Sequence, residues 1–155
     1  MNKRIAGMKD LQKKIIIVDD NETNLYVGRN LLKSYYAVYP VLSAAKLFSV
    51  LEKFVPDLIL LDVDMPEMNG YEAIKILKAN PRFADIPVIF LTAKNDDESE
   101  LEGFKSGAVD YVTKPLSGPL LLQRIADQLL IEQQKRDLSA SRAALQDFTD
   151  NLEIK

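Results

Sequence analysis

Leu58-Ile59-Leu60-Leu61-Asp62-Val63-Asp64-Met65-Pro66-Glu67-Met68-Asn69-Gly70 is the stretch from which the rest of the chain is best read. Its apolar run, 58–61, has no alternation of period two, the mark of a strand covered on both faces in a parallel sheet. Asp62 closes the run. After a loop containing Pro66, Asn69-Gly70 opens a helix in which Tyr71, Ile74 and Leu77 follow one another at i, i+3, i+6 on a single face. The stretch therefore encodes a strand, a loop and a helix, with a carboxylate at the carboxyl end of the strand.

The same unit recurs on either side. Apolar runs at 15–18, 88–91 and 109–112, the last with Asp110 inside it, have the length of strands. A further strand is expected at 37–42, following a helix over about 22–34 that Asp20 and Asn21 can cap. Pro40 lies inside that strand, and a residue without an N–H is tolerated in a sheet only at an edge or a bulge, so this strand is placed at the edge. Leu47, Val50, Leu51 and Phe54 follow the helical template i, i+3, i+4, i+7, and Pro56 breaks the chain before the next strand. Five βα units end near residue 133. The expected fold is α/β: a doubly wound, flavodoxin-like, five-stranded parallel sheet in the order 2-1-3-4-5, with an extended C-terminal helix. In that order a ligand crevice lies at the carboxyl ends of the first and third strands.

Composition narrows the chemistry. The chain has 155 residues, 47% of them hydrophobic and 28% charged, enough for one globular domain with about 30 residues to spare. Twenty Lys and Arg against 23 Asp and Glu give a net charge of -3, which by itself does not suggest a nucleic-acid surface, and no direct nucleic-acid binding is expected. There is no His and no Cys, which excludes Ser-His-Asp and Cys-His nucleophiles, thiol redox pairs and zinc held by nitrogen and sulfur. Carboxylate oxygens are hard ligands and suit Mg²⁺, or Mn²⁺, if a metal binds. No apolar run approaches the roughly 20 residues of a membrane helix. The basic lead at 1–14 has neither a continuous apolar stretch nor a small-residue cleavage site, so no membrane association and a cytoplasmic location are expected.

The fold gathers what the composition leaves. Asp19-Asp20 ends the first strand and Asp62 the third, so three carboxylates meet at one crevice, where they repel unless a cation offsets them. Thr92 ends the fourth strand, and Lys114-Pro115 follows the fifth. Taken singly, these are turn, cap and solvated strand-end residues. Taken together, a carboxylate nucleophile, a metal site, an ammonium and a hydroxyl donor surround the place where the equatorial oxygens of a phosphoryl group would sit.

Over 15–130 the chain resembles the receiver domain of two-component response regulators. The resemblance is carried by Ile17-Val18-Asp19-Asp20-Asn21, by residues 60–70, by Leu91-Thr92-Ala93, and by Gly107-Ala108 through Tyr111 to Lys114-Pro115. It implies a regulatory domain rather than a dedicated enzyme. Asp62 accepts a phosphoryl group from a histidine kinase or phosphotransfer protein, and Mg²⁺ is held by Asp19, Asp20, Asp62 and the backbone carbonyl of Asp64. Lys114 pairs with the phosphoryl oxygens, Thr92 donates to one of them after moving inward, and Tyr111 is an aromatic switch that follows Thr92 to control an output domain or partner. A cis peptide before Pro115 is also implied. Asp64 departs from common members: it adds a carboxylate beside a negative site, where it bears on the approach of an anionic phosphodonor and on hydrolysis, and Lys94 partly offsets it.

Two other readings are open. Asp62-Val63-Asp64 matches the strand-end Asp-x-Asp of haloacid-dehalogenase-type phosphatases, although in that family the nucleophile strand precedes the paired acidic motif and here Asp19-Asp20 come first. A receiver-like scaffold without phosphorylation is the other, although such domains usually lose an acidic residue or the lysine. Beyond the domain, 131–155 has no Pro or Gly, and Ile131, Leu138, Leu145 and Leu152 recur every seven residues, the signature of a helical extension that pairs with a second copy in a coiled coil. In one register the companion core positions are Gln128, Lys135, Arg142 and Thr149. The chain ends at Lys155 without room for an output domain, and it is expected to be either a stand-alone receiver or a piece of a longer regulator.

Overall fold

The computed structural model describes residues 12–93 and 97–153. Five βα units follow one another: β1 (Lys14–Val18), α1 (Glu22–Leu32), β2 (Ala37–Val41), α2 (Ala44–Leu51), β3 (Leu58–Asp62), α3 (Gly70–Ala79), β4 (Val88–Thr92), α4 (Asp97–Lys105), β5 (Asp110–Thr113) and α5 (Gly118–Glu153). All strand pairs are parallel, in the order β2-β1-β3-β4-β5. The doubly wound sheet read from the sequence is the sheet observed.

Burial explains which strands lack alternation. β3 and β4 are buried at every position and β1 at four of five, because helices cover both faces of the central sheet. The edges read differently. β5 alternates buried with half-buried, and β2 buries only Val41 fully. Two clusters fill the faces. One joins Ile16, Ile59 and Phe90 to α2 and α3; the other joins Ile17, Leu60 and Leu91 to α1 and to Leu121 and Ile125 of α5.

Local chemistry sets the boundaries. Asn21, rather than Asp20, caps α1: its backbone is extended and its side chain accepts from the Asn24 N–H at 3.1 Å. Ser43 caps α2 in the same way, and Asn69 and Glu72 form a reciprocal capping box on α3. α2 ends at Leu51, so Phe54 packs on the core from the following turn rather than from the helix, with its ring 4.7 Å from that of Tyr39. α1 stops at Leu32, short of 34, and β5 starts one residue later than 109. Gly107, with φ at +108°, turns the chain from α4 into β5. The Lys114-Pro115 peptide is cis.

α5 does not end with the domain. It runs for 36 residues, well past the last contact of Leu121, Ile125 and Leu129 with the sheet. Among the described residues no helix is long and apolar enough to cross a membrane. The lead at 1–11 and Lys94 lie outside the described residues.

Candidate functional site

The parallel register brings four strand ends to one edge of the sheet. β1 pairs with β3 from Ile15–Leu58 to Val18–Leu61, so Asp19 and Asp62 each stand one residue beyond the last pair. Asp62 in turn is level with Leu91, and Thr92 with Thr113. Asp19, Asp62 and Thr92 are buried, while Asp20 and Asp64 are exposed. One carboxylate oxygen from each of Asp19, Asp20 and Asp62 lies within 4.8 Å of the others.

Lys114 closes the cluster from the far side. Its Nζ is 2.8 Å from Asp19 Oδ2 and donates to Asp62 Oδ1 at 3.1 Å. Burial pushes the ammonium pKa down, but its close contacts with the carboxylates of Asp19 and Asp62 outweigh it and the net shift is upward. Asp62 moves the other way from a usual ion-paired carboxylate. Burial and the charge of Asp19 raise its pKa to about 6, against the lowering effects of Lys114 and of the Asp64 backbone N–H.

The donor set fits a hard divalent cation. Asp19 Oδ1 accepts from the Asn21 N–H at 2.9 Å, whereas its buried Oδ2 has the ion contact with Lys114 but no aligned hydrogen bond. A buried carboxylate oxygen left in this way, facing two more carboxylates and no nitrogen or sulfur ligand, suits an oxygen-coordinated ion of the Mg²⁺ type.

The loop after β3 brings the start of α3 close against the strand end. The Gly70 N–H donates to the Val63 carbonyl at 2.9 Å, and a Cβ at Gly70 would lie 2.5 Å from the Asp62 carbonyl oxygen and 3.0 Å from Val63 Cα. Helix α3 can therefore start this close to the strand only with glycine at its first position. Glu67, in the same loop, is the one non-glycine residue with positive φ among the described residues, at 67°.

The residues singled out from the sequence do not all meet. Asp19, Asp20, Asp62 and Lys114 converge directly, and Thr92 stands at the end of the neighbouring strand. Tyr111 is half-buried on β5, its ring edge-on to Phe104 of α4 at 5.9 Å. Phe104 carries little signal in the sequence, because α4 has only a weak apolar stripe. The anchoring of Asp110, whose Oδ2 meets Arg124 of α5 at 3.3 Å, is not read from the sequence either. A charged residue inside an apolar run was the available signal.

Comparison with known proteins agrees with this geometry. Residues 15–126 match the family model described as response regulator receiver domain. The chain is 45% identical over 130 residues to the probable cyclic di-GMP phosphodiesterase of Vibrio cholerae, an alignment that takes in 83% of this chain and 30% of that protein. It is 35% identical over 123 residues to the polar-differentiation response regulator DivK of Brucella ovis, covering 77% of this chain and 98% of DivK. Among solved structures, Vibrio cholerae chemotaxis protein CheY4 superposes with a TM-score of 0.71 at 26% identity, over 75% of this chain and 98% of that one. The chain thus spans less than a third of its Vibrio cholerae phosphodiesterase relative. With this match, and with Asp19-Asp20 following β1 and preceding Asp62 in the chain, the phosphatase reading of Asp62-Val63-Asp64 falls away.

Proposed function

Since the chain belongs to the response regulator receiver domain family, a regulatory family of two-component signalling, we propose that Asp62 is its phosphoacceptor and that Mg²⁺ is the ion that serves it. In this reading one oxygen of Asp62 attacks the phosphorus of a phosphohistidine on a histidine kinase or phosphotransfer protein. The new P–O bond forms as the P–N bond breaks, and the imidazole leaves with its electron pair. Mg²⁺, held by Asp19, Asp20, Asp62 and the Asp64 carbonyl, would supply positive charge against the oxygens of the transferring group. Lys114 stays charged at neutral pH and exchanges its carboxylate contacts for the phosphoryl oxygens. Thr92 donates a hydroxyl to one of them, and Tyr111 follows Thr92 to alter the α4–β5–α5 surface read by an output domain or partner. The Asp64 side chain lies outside the Asp19, Asp20 and Asp62 cluster and modulates the approach of donor or water. A second copy of the chain, seated along α5, is the other partner in this reading.

The observation that carries this reading is the single ammonium of Lys114 set between Asp19 Oδ2 and Asp62 Oδ1, with the former lacking an aligned hydrogen bond. Incubation with acetyl phosphate and Mg²⁺ followed by intact mass measurement tests it. One phosphoryl adduct is expected on the wild type and on Asp64→Asn, and none on Asp62→Asn. An adduct on Asp62→Asn would overturn the assignment.

A further inference from the structure

Beyond Leu129 the α5 helix presents two distinct faces. Leu121 and Ile125 are fully buried against the sheet, and one helical turn further on Leu129, Glu132, Lys135 and Ser139 line a cleft of about 750 Å³ at the amino-terminal end of the strands. Ile131, Leu138, Leu145 and Leu152 are centred about a third of a turn round the helix from that face. All four are exposed, between 40% and 66%. Phe148, equally exposed, lies beside Leu145 on the same stripe. A stripe of this kind on a helix about 33 Å long, from 131 to 152, is costly in water unless something covers it.

Two registers could cover it with a second copy. If the leucine stripe takes the d positions of a heptad, Lys135 and Arg142 fall in the a layer and face their own symmetry mates inside the seam. If the stripe takes the a positions, the d layer is Gln134, Ser141 and Phe148, and both cations move out to the flanking e positions. The second register also makes a charge pair. Asp137 then falls at g, five residues before Arg142 at e, the spacing at which g of one strand meets e of the other in a parallel, in-register dimer.

We propose that α5 forms a parallel, in-register homodimeric coiled coil over 130–152, with Ile131, Leu138, Leu145 and Leu152 at a and Asp137 paired across the seam with Arg142 of the second copy. This rests on the reading of a second copy as partner and adds its direction and register. Because the stripe lies off the sheet-facing side of α5, the two domains flank the coil and both carboxyl termini leave at the same end. Whatever follows such a helix is delivered as a pair.

The chain has no cysteine, so single cysteines report on the seam without background. In the full chain, Gln134→Cys and Ser141→Cys should each cross-link to themselves under mild oxidation, far faster than Arg142→Cys. Fast Arg142→Cys with slow Ser141→Cys would overturn the register. Cross-linking at only one of Gln134→Cys and Ser141→Cys would mean an antiparallel pair and overturn the direction. Sedimentation equilibrium separates these from failure of the second-copy reading itself, which a monomer at tens of micromolar would establish. Arg142→Glu should weaken the dimer at least fivefold, and Asp137→Lys with Arg142→Glu should restore it. No restoration would remove the charge pair.

Discussion

Lys114 meets Asp19 across the width of two strands: its Nζ, carried just past β5, lies 2.8 Å from an oxygen at the end of β1, although β3 and β4 stand between them. The contact ties one side of the sheet to the other through a single ammonium shared with Asp62. Removing that charge leaves two buried carboxylates facing each other. Lys114→Met should lower stability by on the order of 2 kcal/mol at pH 7.5 without metal, and by much less at pH 4, where Asp62 takes up a proton and relieves the repulsion. Urea denaturation at the two pH values checks this, and an equal loss at both would mean that packing rather than charge is at stake.

Asp62 itself is expected to destabilise the metal-free domain at neutral pH. Its pKa rises from the ordinary 3.8 to about 6 on folding, so the folded chain holds that proton more tightly than the unfolded one. The associated stability is complete below pH 3.8 and is lost as the pH rises through about 6. Asp62→Asn should therefore be more stable than wild type by about 1 to 3 kcal/mol at pH 7.5, with the gap closing toward pH 4. Thermal melts across pH 4 to 8 in a chelator give the comparison.

Millimolar Mg²⁺ should reverse that burden in the wild type. An ion at ten times its dissociation constant stabilises the folded state by roughly 1.4 kcal/mol. With both Asp19→Asn and Asp20→Asn the melting temperature should no longer respond. An unchanged response in that variant would put the ion elsewhere.

Gly70→Ala should cost about 1 to 3 kcal/mol, because the added methyl meets the backbone of Asp62 and Val63 rather than a side chain that can turn aside. It should also slow modification by acetyl phosphate, since relief of the clash displaces the end of β3. Loss of stability at an unchanged modification rate would show that the strand end does not move.

Much of this was legible in the sequence because burial writes itself into composition. Runs such as 58–61 and 88–91 read as central strands and Pro40 placed its strand at an edge, and with the doubly wound order these readings brought Asp19, Asp62 and Lys114 to one crevice. What escaped depended on backbone details without a compositional mark. Both Asp20 and Asn21 are competent caps, and only the extended backbone of Asn21 decides between them. Phe54 keeps the helical spacing of Leu47 and Leu51, yet α2 stops first and the ring reaches the core from a turn, where it packs against Tyr39 of the edge strand. Gly70 looked like a helix opener, and its tolerance of the Asp62 carbonyl is visible only in three dimensions.

The proline in β2 has a wider effect than its place in the order suggests. The Ala37 N–H bonds to the Lys13 carbonyl and the Val41 carbonyl accepts from Asp19, so alternate residues of β2 face β1 and Pro40 faces outward. The proline therefore costs the sheet no ladder bond, while the open edge loses a donor in the middle of a five-residue strand. A stray β-strand from another molecule would find a gap where it needs a partner. Protection from edge-to-edge aggregation is thus built into the side of the molecule away from β5.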